Sequence, residues 1–361
     1  MRLEGIDILR GLAIILVVAY HFFELLGLQD HFLYTYFSHL GQLGVPLFFI
    51  ISGYLIYRSI EHNITTKGIK KGLKTYFLHR LFRIMPAYIV NFFILFFLAI
   101  YILHTMDTWS TSFIIKQIFT HLTFTSYFLY KTSGLGINGA YWTLSIEMLW
   151  YFIAPLFFLY IKKDRYYLFL IVLAIVYLLS IDLQWLDNIL NLDASKPNYL
   201  ALQYFYSFQL PAQILYFIAG IFIYKHMQKT YTFSSVTRYI LFLLLLLFFY
   251  YLSNQKFFLE SFFVKNMIIV VIVSILFILF YQHYSSSLIP LAWIGKISYS
   301  MYLWHMPILA LMHHYHTLSI FSLWINFLLF SSILLLISSM SYYLIEESGF
   351  KLRKKLENQK N

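Results

Sequence analysis

Residues 6–26 read IDILRGLAIILVVAYHFFELL. About 20 mostly apolar residues are what a helix needs to cross the ~30 Å hydrocarbon core of a bilayer, and this stretch is long enough. Its polar exceptions are Asp7, Arg10, His21 and Glu24. Working outward from it, comparable runs recur at roughly 41–58, 84–103, 139–161, 165–182, 207–225, 239–253, 264–282, 291–312 and 319–345. The pattern predicts an all-α, polytopic transmembrane helix bundle of about ten spans. No small-residue cleavage site follows the first run, so it is expected to stay as an uncleaved helix rather than a signal peptide.

Composition agrees. Of 361 residues, 61% are hydrophobic and 11% charged, against about a quarter charged in an ordinary soluble domain. Mean hydropathy is +0.72. A soluble globular protein is excluded. The net charge of +11 would suggest nucleic acid in a soluble protein, but in a bilayer protein it marks topology first, and no nucleic-acid partner is expected. With no cysteine, disulfides, thiolate metal sites and a thiol nucleophile are all excluded.

Placing the N-terminus in the cytoplasm leaves only Lys116, Lys131, Lys196, Lys256 and Lys265 on the outer side. The rest of the 26 Lys and Arg, among them Arg2, Arg58, Lys74, Lys162, Lys163, Lys229 and Lys360, fall inside. This is a strong positive-inside pattern, and both termini are expected in the cytoplasm. Residues 1–346 are expected to form the transmembrane domain and 347–361 a basic cytoplasmic tail. The longest connection, about 104–138, falls short of the ~50 residues of an independent domain. With Trp109, Phe113, Ile114, Ile118, Phe119 and Leu122 it reads as a short amphipathic helix lying on the membrane.

Ionisable side chains inside a span cost about 2.5–3.5 kcal/mol on insertion scales, so each is a functional candidate. Arg10 and His21 are eleven residues apart, which at 100° per residue puts both on one face, about 16 Å apart along the axis. Taken alone, His21 has a bland reading as a core histidine bonded to a carbonyl. Glu147 sits in the outer half of the fourth span, with Thr143 one turn above it and Tyr151 one turn below. The ninth span carries Ser298, Tyr302 and His305 at i, i+4 and i+7. Depth alone brings His21, Glu147 and His305 together. At the inner end Arg80 and Arg83 share a helix face near the level of Arg10; their bland reading is headgroup anchoring.

The bundle therefore has two polar levels. An arginine cluster at the cytoplasmic mouth suits bidentate phosphate binding, and a His/Glu cluster lies deeper. That layout suits a coenzyme A thioester, with its phosphates in the cytosol and its acyl carbon carried toward an imidazole able to activate a hydroxyl.

Five segments in order resemble the membrane-bound acyltransferase 3 family. They are IDILRGLAIILVVAYH, with its R-x10-H spacing; GVPLFFIISGYLI around Ser52; HRLFRIMPAY; YWTLSIEMLWYFIAP, with Trp142; and IGKISYSMYLWHMP. The stretch from about 162 to 285 is similar only as hydrophobic helices. The resemblance implies an integral-membrane O-acyltransferase of the bacterial cytoplasmic membrane, dependent on acyl-CoA, with acetyl-CoA first among donors. Its acceptor would be a surface glycan or glycolipid such as lipopolysaccharide. It implies His21 as general base or nucleophile and Glu147 as the acid supporting it. Arg10, Arg80, Arg83 and Ser52 are implied on the donor side, and Tyr302, His305 and Trp142 at the oxyanion or substrate. No permanently bound cofactor and no metal are expected, and a homo-oligomer is left open.

Three residues or groups have plainer explanations. Ser52, beside Gly53, equally fits close helix packing. His313, His314 and His316 lack the i, i+4 spacing of a helical zinc pair. In YYLIEE, Glu346 and Glu347 receive no catalytic role, because the proline that follows this Glu in many relatives is missing. Two rival functions exist: a glycan or small-molecule transporter using His21 and Glu147 as a proton relay, and a non-catalytic scaffold. The arginine cluster aligned with His21 favours the enzyme.

Overall fold

The computed structural model describes residues 4–133, 137–160, 164–190, 199–227, 234–281 and 288–358. Arg2, Lys162, Lys163, Lys196, Lys229 and Lys360 of the charge count lie outside the described residues. Within them the chain is helix and connecting turn, with no β-strand. The first helices are α1 (Glu4–Leu25), α2 (Phe32–Leu40), α3 (Gly44–Lys67), α4 (Ile69–Tyr101), α5 (Thr111–Leu122), α6 (Tyr130–Ser133) and α7 (Tyr141–Tyr160). Then come α8 (Asp164–Asp182), α9 (Trp185–Leu190), α10 (Tyr199–Ser207), α11 (Leu210–His226), α12 (Ser235–Ser253), α13 (Lys256–Glu260) and α14 (Phe262–Phe280). The last are α15 (Ile289–Lys296), α16 (Ser298–His314), α17 (Thr317–Ile320), α18 (Leu323–Ser341) and α19 (Glu347–Asn358).

Eight helical runs among the described residues are long and apolar enough to cross a membrane. They correspond to eight of the ten expected runs. The run at 165–182 yields the shorter apolar helix Tyr167–Asp182. The run at 291–312 is divided at Ile297, whose backbone (φ −94°, ψ 6°) leaves the helical region between α15 and α16. Just before this break Gly295 lies flush against the Asp7 carbonyl of α1, where any Cβ would overlap it. The outward side of α12, with Val236, Ile240, Leu244, Leu247 and Tyr251 exposed, is too apolar for water and suits lipid. The protein is a multi-pass integral membrane protein.

The chain divides into two compact units. The first comprises Met1–Val17, Thr35–Ser59 and Phe152–Gly295. In it α3 and α11 meet backbone to backbone: Gly53 abuts the Phe217 carbonyl and Gly220 abuts the Ile50 carbonyl. Small residues permit this approach, and the tilted rings of Phe49 and Phe217 (4.8 Å) pack beside it. Ser52 sits next to that crossing.

The second unit comprises Val18–Tyr34, Ile60–Tyr151 and Lys296–Asn361. Its α4 buries Ala87, Tyr88, Asn91, Phe92, Leu95 and Ala99, while Val90, Phe93, Ile94, Phe97 and Tyr101 form an exposed apolar stripe. That is the helical period of a lipid-facing span. The segment expected as a basic tail continues beyond a π-helical turn at Tyr342–Glu346 as α19. Gly349 of α19 packs on Pro86 of α4, and Glu357 meets His79 at 2.8 Å. α5 is indeed amphipathic, with its polar residues inward: Gln117, Thr120 and His121 are buried, whereas Ile115 and Phe119 are exposed. The inward His121 finds a partner there, its Nδ1 lying 2.8 Å from the Gln117 carbonyl.

Candidate functional site

The site is built around α16, in the second unit. Pro307 inside that helix has no N–H, so the carbonyl of Leu303, four residues earlier, loses its helical donor. Buried and unpaired, such a carbonyl costs about 1–3 kcal/mol. Two side-chain amides supply the missing bonds: Asn91 Nδ2 of α4 donates at 3.3 Å and Asn138 Nδ2 at 3.0 Å. Each amide is itself oriented. The Tyr141 hydroxyl donates to Asn91 Oδ1 (2.5 Å), and Asn138 Oδ1 accepts from the Ala140 N–H (3.0 Å). The proline thus leaves a polar socket that fixes α16 to α4 and to the start of α7.

One turn along, the Thr143 hydroxyl donates to Tyr302 Oη (2.8 Å), and the Tyr302 hydroxyl donates to the Ala140 carbonyl (2.9 Å). The Tyr302 proton is therefore committed to the backbone. His305 is fully buried. Its Nδ1 lies 2.8 Å from the Tyr302 carbonyl, and its Nε2 lies 3.3 Å from His21 Nδ1. The two imidazole centroids are 5.1 Å apart. His21 is half-buried on α1, and the ring of its neighbour Tyr20 lies 4.9 Å from its own.

Lower on α7 the Tyr151 hydroxyl donates to Glu147 Oε1 at 2.7 Å. Pro155 releases the Tyr151 carbonyl just as Pro307 releases that of Leu303, and here the Tyr76 hydroxyl takes the vacated position (3.1 Å). The Arg80 guanidinium rests over both rings, 5.6 Å from the Tyr76 centroid and 5.5 Å from that of Tyr151. Arg80 Nε is buried with no hydrogen-bond partner among the described residues. Arg83, one turn on, is half-buried. Trp142 packs its indole on Tyr127 at 5.6 Å.

Two groups thus form within the second unit: His21, His305, Tyr302 and Thr143, and then Glu147, Tyr151, Arg80 and Tyr76. Arg10 and Ser52 belong to the first unit, where Arg10 Nη1 stands 3.5 Å from Asp7 Oδ1. His313, His314 and His316 are exposed. Among the described residues no three metal-ligating side chains converge.

Sequence reasoning missed the two asparagines, and it gave Glu346 no role. Each proline inside a span announces a carbonyl in need of a donor, which is the signal that would have found Asn91, Asn138 and Tyr76. Glu346 is buried on the π-helical turn. The Ser300 hydroxyl of α16 donates to its Oε1 at 2.5 Å and lies 3.0 Å from Ser341 Oγ.

A family model described as an acyltransferase domain matches residues 3–344. The chain is 30% identical over 148 residues to a "Putative acetyltransferase" of Acidianus two-tailed virus, covering 41% of this chain and 38% of the relative. It is 38% identical over 88 residues to a "Putative O-acetyltransferase" of Staphylococcus aureus (strain COL), covering 24% of this chain and 13% of the relative. It is 29% identical over 172 residues to a "Putative peptidoglycan O-acetyltransferase" of Bacillus subtilis (strain 168), covering 45% of this chain and 25% of the relative. The chain thus spans well under half the length of these curated relatives. No solved structure matches it significantly.

Proposed function

Because the chain belongs to the membrane acyltransferase 3 family, we propose that it transfers an acyl group, acetyl first, from cytoplasmic acyl-CoA to a hydroxyl of a surface glycan. In this reading it works in the bacterial cytoplasmic membrane. His21 removes the acceptor hydroxyl proton as that oxygen attacks the thioester carbonyl. The new C–O bond forms, the C–S bond breaks, and the thiolate leaves with the proton that His21 had taken. Glu147 supplies negative charge that favours the imidazolium formed in between. Arg80 and Arg83 hold the donor phosphates.

The observation that carries this reading is the imidazole of His21 held by a second, fully buried imidazole on a pinned helix. A membrane segment retains such a pair at considerable cost unless it is used. The orphaned Arg80 Nε supports the donor end. Mass spectrometry of surface glycans tests the proposal in cells. Ester-linked acyl groups should vanish with deletion of the gene and return with wild type but not with His21→Ala. Restoration by His21→Ala would overturn it.

A further inference from the structure

Taking His21 as the base, the geometry points to His305 as the positioning residue that sets its tautomer, leaving Nε2 of His21 as the nitrogen that accepts the proton. The Tyr302 carbonyl can only accept, so the hydrogen between it and His305 Nδ1 (2.8 Å) sits on His305. A neutral imidazole carries one N–H, so His305 Nε2 presents a lone pair. His21 Nδ1 lies 3.3 Å from that lone pair and must supply the hydrogen if the contact is a bond. With its N–H on Nδ1, neutral His21 has its lone pair on Nε2. Backbone carbonyl, buried imidazole and base thus form a chain in which each member fixes the hydrogen of the next, the same logic that orients a triad histidine through its second nitrogen.

The anchoring of α16 makes this assignment rigid. Tyr302, whose carbonyl starts the chain, is held by Thr143 and Ala140 through its hydroxyl, and Leu303 by Asn91 and Asn138. His305 has no exposed surface, so water does not compete for its Nε2. When His21 Nε2 takes the acceptor proton, both its nitrogens carry hydrogen. The Nδ1–H···Nε2 bond to His305 then becomes charge-assisted, and such bonds are roughly twice as strong as neutral ones. His305 therefore favours the protonated base without touching substrate.

The test is nitrogen NMR of full-length protein in lipid nanodiscs with ¹⁵N-labelled histidine, the His21 signals assigned by their loss in His21→Gln. In wild type His21 should be protonated at Nδ1 and unprotonated at Nε2; the opposite tautomer overturns the proposal, whatever the activity of His21→Ala. In His305→Gln the amide oxygen still accepts from Nδ1–H. That variant should keep the tautomer and hold kcat within about tenfold, a rescue that a purely steric role for the ring would not give. His305→Leu removes the acceptor, and its kcat should fall on the order of 10²–10⁴-fold, the scale of a misassigned tautomer in a triad, with KM for acetyl-CoA unchanged. Equal kcat in the Leu and Gln variants overturns the proposal while leaving His21 as base. A fully active His21→Ala instead removes the reading beneath it.

Discussion

Asn91 and Leu303 are joined across 212 positions of sequence by a 3.3 Å bond from a side-chain amide to a backbone carbonyl. The bond exists because Pro307 vacates that carbonyl, and it determines where the α16 side chains sit. Asn91→Ala leaves the Tyr141 hydroxyl without its acceptor and weakens the socket. Stability should fall by about 1–3 kcal/mol, the cost of a buried polar group left unpaired. Thermal unfolding in detergent measures this. Adding Asn138→Ala should cost more than the two single changes summed, because either amide alone still serves Leu303. Strict additivity would show that the amides do not share that task.

The Tyr302 hydroxyl proton points to the Ala140 carbonyl, which argues against its use as the main donor to a developing oxyanion. Tyr302→Phe should therefore lower kcat less than tenfold. A loss of 10²–10³-fold, typical of a removed oxyanion donor, would assign it that role after all.

The Arg80 guanidinium lies over two tyrosine rings, a placement in which its planar fork can stack as an ammonium cannot. Arg80→Lys keeps the charge but should raise KM for the acyl donor roughly tenfold, about 1.4 kcal/mol, with a smaller effect on the acceptor. Equal changes in both constants would detach Arg80 from donor binding.

The helical pattern of the sequence was enough to read eight of the ten runs as long apolar helices and to set His21 and His305 at one level, because burial periodicity and axial rise follow from local geometry. Their mutual orientation was not legible, since a 3.3 Å contact between residues 284 positions apart depends on how α16 is held. That holding is done by Asn91 and Asn138, which look unremarkable in sequence. The polar-inward attitude of α5 was also hidden. Its apolar residues were visible, but whether Gln117 and His121 face water or protein depends on what packs beneath them.

His121 carries a pH prediction. Burial pushes its imidazole below the ordinary histidine value, with the bond to the Gln117 carbonyl opposing only in part. The unfolded chain then binds the proton more readily than the folded one. Stability is full above the unfolded value near 6.5 and is lost as pH falls below it. Unfolding midpoints should drop on acidification, and His121→Gln should flatten that dependence. An unchanged slope in His121→Gln would remove this residue from the acid response.

The most direct test of the central claim is label transfer by purified protein in nanodiscs, supplied with radiolabelled acetyl-CoA and extracted surface glycan. Wild type should move label to the glycan, and His21→Ala should fall to the rate without enzyme. Transfer by His21→Ala at the wild-type rate, or glycan translocation by wild type with no acyl donor present, would contradict the account.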